Sequence, residues 1–221
     1  MQILYDAPTY LEKLRDIVDY KTVYGWGAFG APADYDNNRQ RYNVPSAPAG
    51  SFIFDCSGFA YKAIPWGWSG DPKLRYGGAI YKKIPELETN DIMTICSDVS
   101  TNFQNIVPGE VLYGKFNGNG HVGIYAGEGL VYECTTDFGG GCMVTSCDNV
   151  DIRGDMPGRQ WLKHGKLPFI KYSGQDNNDN FEKMQALYDK ICELESDAAE
   201  LSMHLSELAE EVMNELERIA E

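Results

Sequence analysis

The chain has 221 residues, 43 % of them hydrophobic and 24 % charged, which suits one globular domain with an appendage and excludes a disordered chain. The formal net charge of -14 is unevenly spread: residues 175–221 carry three basic against fourteen acidic side chains, leaving sixteen against nineteen in the body. Neither part has the basic footprint that nucleic acid requires, and no window reaches the roughly 18 consecutive apolar residues of a membrane span.

The N-terminus, MQILYDAPTYLEKLRDIVDY, lacks a basic segment followed by an apolar run, so no signal peptide is expected and the protein is expected in the cytoplasm when synthesised. Leu11, Leu14, Ile17 and Val18 recur at helical spacing behind Thr9, which reads as the N-cap of a helix over 9–20. The glycines of YGWGAFGAP end it. Residues 31–50 show no periodicity and read as a long surface loop, a length that compact domains usually reserve for function. Cys56 opens a short helix that Pro65 stops. The aromatic segment WGWSGDPKLRYGG follows and is expected, with the 31–50 loop, to wall a groove, while 76–95 reads as helical or irregular.

From Ile106 the pattern changes to short β-rich runs, IVPGEVLYGKF, GHVGIYAG, GLVYECTT and GCMVTSC, parted by Gly and Asn turns. That is an antiparallel meander, to which WLKHGKLPFIKY adds a last strand. The domain plan is a body over 1–173, a polar linker over 174–180 and an acidic amphipathic helix over 181–221. In that helix Met184, Leu187, Ile191, Leu194, Ala198, Leu201, Leu205, Leu208, Val212 and Ile219 alternate at intervals of three and four, with Glu215 alone out of register. The heptads predict a coiled coil and hence a homo-oligomer.

Six cysteines without an export signal are expected as buried, catalytic or metal-bound thiols rather than disulfides. Cys134, Cys142 and Cys147 with His164 invite a zinc reading. Their seven and four intervening residues lack the short C-x₂₋₄-C knuckle, so no metal or other cofactor is expected.

Cys56 stands apart. A free thiol with a pKa of about 8.5 is mostly protonated at neutral pH, and a helix N-terminus or a neighbouring imidazolium lowers that value. DCSGFAYKAI offers the first device, and its backbone N–H groups suit a developing oxyanion. Three histidines compete to supply the second. His204 lies in the acidic tail, and His164, in the Lys-rich turn LKHGK, reads as a surface residue. His121 opens the strand HVGIYAG after the turn NGNG, where a side chain can face a cleft. Pairing Gly123–Ala126 with Leu130–Glu133 across the turn AGEG brings Glu133 beside His121, as the group that would orient the imidazole.

YGWG, FDCSGF, PGEVLYGKF and GHVGIYAGEGLVYE, in that order within roughly residues 10–172, resemble the successive signatures of the NlpC/P60 family of cysteine peptidases. The resemblance implies an α+β, papain-like core in which the nucleophile helix packs on an antiparallel sheet. It implies Cys56 as nucleophile and His121 as base, with Glu133 in a third position where many members carry His, Asn or Gln. Tyr24 resembles the family tyrosine that shapes the oxyanion site, Trp26 accompanies it in the Tyr-x-Trp-Gly stretch, and Asp55 and Ser57 resemble positions lining the peptide pocket. The implied activity is hydrolysis of an amide in the bacterial peptidoglycan stem peptide, typically between D-glutamate and the following diamino acid. An N-acetylmuramoyl-L-alanine amidase would use the same residues. With no signal peptide expected, the setting that follows is a phage-type endolysin reaching the cell wall through a holin. From another class comes a non-catalytic phage structural or wall-binding protein on the same scaffold.

Overall fold

The computed structural model describes residues 3–80 and 83–172, together with Tyr188 and Lys190, which are both helical. Two compact units separate, Gln2–Asn178 and Asp179–Glu221 with Met1. The linker over 174–180 and the coiled coil over 181–221 lie outside the described residues, those two positions excepted.

Strand β1 is Tyr5–Asp6 and helix α1 is Ala7–Val18. Asp6, not Thr9, caps α1: its extended backbone turns into the helix and its carboxylate accepts the Thr9 N–H at 2.8 Å. Pro8 fits the first turn, where its missing N–H costs nothing. The helix therefore starts earlier than the spacing suggests, with Thr9 as donor to the cap. Tyr10, Leu14 and Ile17 form its buried face.

The chain continues through β2 (Thr22–Tyr24), β3 (Phe29–Pro32), the short α2 (Asn38–Arg41) and β4 (Phe52–Phe54). β4 pairs parallel to β2 and antiparallel to β3 in a three-stranded sheet. Residues 31–50 are less loop-like than their composition suggests, because Asn38 Nδ2 donates to the Pro32 carbonyl, Arg39 Nε to that of Ala47, and Arg39 pairs with Asp34 at 2.6 Å. They fold over a small cluster of Ala28, Ala31, Ala33, Ala47 and Ile53.

The residues from Cys56 begin helically and continue as a π-helical stretch, Gly58–Lys62, that packs against β7 (Asn119–Gly127) and β8 (Leu130–Thr135). Among the described residues of 76–95 the helical elements are 3₁₀ turns, at Arg75–Gly78 and Ile92–Thr94. The remaining strands are β5 (Ser97–Ser100), β6 (Val111–Phe116), β9 (Gly141–Cys147), β10 (Gly158–Arg159), β11 (Lys163–Lys166) and β12 (Ile170–Lys171), the last pairing parallel with β1. The large sheet runs β10-β9-β8-β7-β6-β11-β5, so the meander from β6 to β9 is its centre. Phe103, Leu112, Tyr125, Val131, Cys147 and Trp161 form a core cluster on it. The architecture is mixed α and β with few helices. Among the described residues no helix is long and apolar enough to cross a membrane.

His164 corrects the surface reading. It is 3 % exposed, its Nδ1 meets the buried Glu110 carboxylate, and its Nε2 donates to the Asn102 carbonyl at 3.0 Å. The lysines around it are rim residues of β11, whose centre is buried between β6 and β5.

Candidate active site

One residue, Asp55, separates Cys56 from β4, and four hydrogen bonds of Asp55 fix the turn that carries the thiol. Asp55 N–H donates to the Ala28 carbonyl at 2.7 Å. The Asp55 carboxylate accepts the Gly27 N–H at 2.8 Å, the Ser57 hydroxyl at 3.0 Å and the Gly58 N–H. Gly58 lets the helix approach β3: a Cβ there would stand 2.0 Å from the Ala28 carbonyl oxygen. Asp55 and Ser57, expected at the pocket wall, thus turn inward and knit the nucleophile turn. Burial pushes the Asp55 carboxyl above its usual value, with the Gly58 N–H the main opposing influence.

His121 lies on β7, and Glu133 on β8 stands opposite Gly123, two residues along on the same face of the sheet. That diagonal brings His121 Nε2 to 2.7 Å from Glu133 Oε2. Trp161 stacks along the imidazole at 5.6 Å between centroids and 22° between planes, and Phe116 meets it edge-on at 5.7 Å. The ring is held in orientation on two sides.

Glu133 has no exposed surface. Its Oε1 accepts the Thr145 hydroxyl and lies 3.3 Å from Arg159 Nε. That Nε has no aligned hydrogen-bond partner, so the contact is an ion pair without a hydrogen bond. Arg159 is itself 7 % exposed, lies between the Phe116 and Phe138 rings, and reaches Thr135 at 3.3 Å and Asp137 at 3.4 Å. The buried carboxylate thus has cations on both sides when His121 is protonated, the condition under which burying it is tolerable.

Burial pushes the His121 pKa down, but the neighbouring Cys56 sulfur and the Glu133 carboxylate, which accepts from the ring, outweigh it and lift the imidazole to about 9. Cys56, His121 and Glu133 are therefore brought together. Tyr24 stands opposite Phe54 in the β2–β4 register, two residues before the nucleophile. Burial first, then Cys56, Asp55 and Cys134, push its hydroxyl well above the ordinary tyrosine range. It stays protonated as a donor.

A cleft of about 230 Å³ is lined by His121 together with Tyr24, Trp26, Phe116, Asn119, Thr136, Asp137 and Arg159, among others. Trp26 is 72 % exposed at its mouth. Neither 31–50 nor the WGWSGDPKLRYGG segment contributes to the lining. Trp66 is buried against Phe29, and Trp68 packs on Tyr20, Phe52 and Phe54, so those aromatics build core instead of groove.

Among the described residues no cluster of three or more His, Cys, Asp or Glu is arranged for a metal. Cys134 and Cys142 face each other across β8 and β9, and His164 is occupied by Glu110. Arg159 and Trp161 escaped the sequence reading because nothing in GRQW marks them. Thr89, whose hydroxyl lies 3.6 Å from Cys56 Sγ, sits in a segment without motif or periodicity.

No family model matches this sequence, and no curated protein matches it. Among solved structures it aligns with the peptidoglycan hydrolase RipB of Mycobacterium tuberculosis at 18 % identity, over 75 % of this chain and 67 % of that chain, with a TM-score of 0.40. At that depth the overlay carries no weight beside the side-chain geometry.

Proposed function

We propose that this chain is a cysteine hydrolase that cuts an amide bond of the peptidoglycan stem peptide, with Cys56 as nucleophile, His121 as general base and acid, and Glu133 as orienter. One observation carries the reading: His121, stacked on Trp161, gives Nε2 to a fully buried carboxylate at 2.7 Å while interacting with the Cys56 sulfur. Glu133 selects the tautomer and steadies the imidazolium that forms when His121 takes the thiol proton.

In the reaction the Cys56 sulfur attacks the amide carbonyl carbon, and the negative charge moves to the carbonyl oxygen. The Tyr24 hydroxyl and the N–H groups at the start of the Cys56 helix are the donors available to it. His121 then returns its proton to the leaving amine as the C–N bond breaks. Water, deprotonated by the same ring, hydrolyses the thioester and regenerates the thiol. Exposed Trp26 and the polar cleft walls suit a peptide with both apolar and hydrogen-bonding parts.

The motif resemblance directs the proposal to the D-glutamate–diamino acid bond and to a phage-type endolysin. Digestion of defined muropeptides followed by mass spectrometry tests the bond. Fragments ending in free D-glutamate support the endopeptidase, whereas release of free muramic acid ends would make it the amidase. Purified protein added to susceptible walls should clear them and Cys56→Ala should not; equal clearing by both would refute the nucleophile.

A further inference from the structure

Cys56 is nearly closed off, at 4 % relative exposure, and one of the side chains covering it belongs to no strand. Segment 83–91 crosses the nucleophile on two anchors. At one end the Ile84 carbonyl accepts from Trp66 Nε1 at 3.3 Å and the Pro85 carbonyl from the Tyr61 hydroxyl at 3.0 Å. At the other, Asn90 Oδ1 accepts the Tyr113 hydroxyl at 2.8 Å and rests on Gly120, where a Cβ would stand 2.4 Å from it. Between the anchors Thr89 points its hydroxyl at Cys56 Sγ, 3.6 Å away.

The groups beside that sulfur come from three strands: His121 from β7 with Glu133 behind it, Tyr24 from β2 and Cys134 from β8. Once the proton has passed to His121 the sulfur can only accept, and Thr89 is an uncharged hydroxyl free to rotate toward it. We propose that Thr89 is a catalytic residue whose hydroxyl donates a hydrogen bond to the ionised Cys56 sulfur and holds that charge until a carbonyl arrives. As the S–C bond forms, the charge leaves the sulfur for the carbonyl oxygen and Thr89 loses its ionic acceptor. This rests on Cys56 being the nucleophile.

The test is the pH profile of iodoacetamide alkylation of Cys56 in the full chain, followed by intact mass and peptide mapping. Thr89→Val keeps the shape and removes the hydroxyl; its alkylation midpoint moves to higher pH by about one unit, a tenfold loss of reactivity on the acid side. Thr89→Ser restores the wild-type midpoint. Tyr113→Phe, which loosens Asn90 without touching Thr89, moves it the same way by less. A Thr89→Val profile superimposable on wild type overturns the proposal. So does an unchanged midpoint with a uniformly faster rate, which would make Thr89 a cover and nothing more. Alkylation needs no wall substrate, so these outcomes are separate from any failure to cleave muropeptides. A wild-type Cys56 that labels only in strong alkali overturns the nucleophile and Thr89 together.

Discussion

Two single residues carry separable consequences. The imidazole of His121 is lifted from an ordinary 6.5 to about 9, and Glu133 is one of the two groups that lift it. Because the folded value is the higher one, the stability this contributes is complete below the unfolded value near 6.5 and is lost as pH climbs through about 9. Activity that needs the imidazolium–sulfur pair should fall along the same limb. Glu133→Gln removes the charge but not the shape. It should move the alkaline limb of kcat/KM to lower pH and reduce kcat/KM by on the order of 10²- to 10⁴-fold, measured from pH 6 to 10. A limb that stays in place would detach Glu133 from His121. Gly58 makes a purely steric prediction. An added methyl would meet backbone at 2.0 Å, so Gly58→Ala should cost about 1–3 kcal/mol or more in chemical denaturation, and should displace Cys56 with it.

Elements explain why some of this was legible and some was not. The meander β6–β9 was readable because each strand has its own β-rich run and its own Gly or Asn turn. The same local logic places Glu133 next to His121 from the sequence, since a tight turn fixes register. The start of α1 was misread because Asp6 and Thr9 are both good caps and only backbone geometry tells donor from acceptor. His164 was misread for a deeper reason: its neighbours in sequence are lysines, but its partner is Glu110, brought to it when β11 pairs with β6. Arg159 and Thr89 likewise take their meaning from chain segments remote in sequence. The Glu110–His164 pair lends itself to test. Burial pushes the Glu110 carboxyl up, with His164 the main opposing influence. His164→Ala leaves that carboxylate buried without its partner and should destabilise the body by about 3–5 kcal/mol. Calorimetry would show it, and the double variant with Glu110→Gln should recover part of the loss.

At the scale of the whole molecule, chemistry and acidity occupy different parts of the chain. The body has its own core and its own candidate site, while residues 175–221 hold fourteen of the acids. So acidic a segment is a poor reader of an anionic polymer, since like charges repel within a Debye length. The heptad pattern suggests a different use. Linking several catalytic bodies lets one engaged site hold the others near a polymeric substrate, an avidity gain set by geometry without any new contact. Full-length protein should therefore sediment as an oligomer, and a chain ending at Ser173 as a monomer that keeps its turnover on soluble muropeptides. On intact walls the shorter chain should clear more slowly, with the gap narrowing as its concentration rises, because avidity acts as a local concentration. Equal sedimentation of the two forms would end the coiled-coil proposal. A shorter chain that also loses turnover on small substrates would instead tie the tail to the catalytic step.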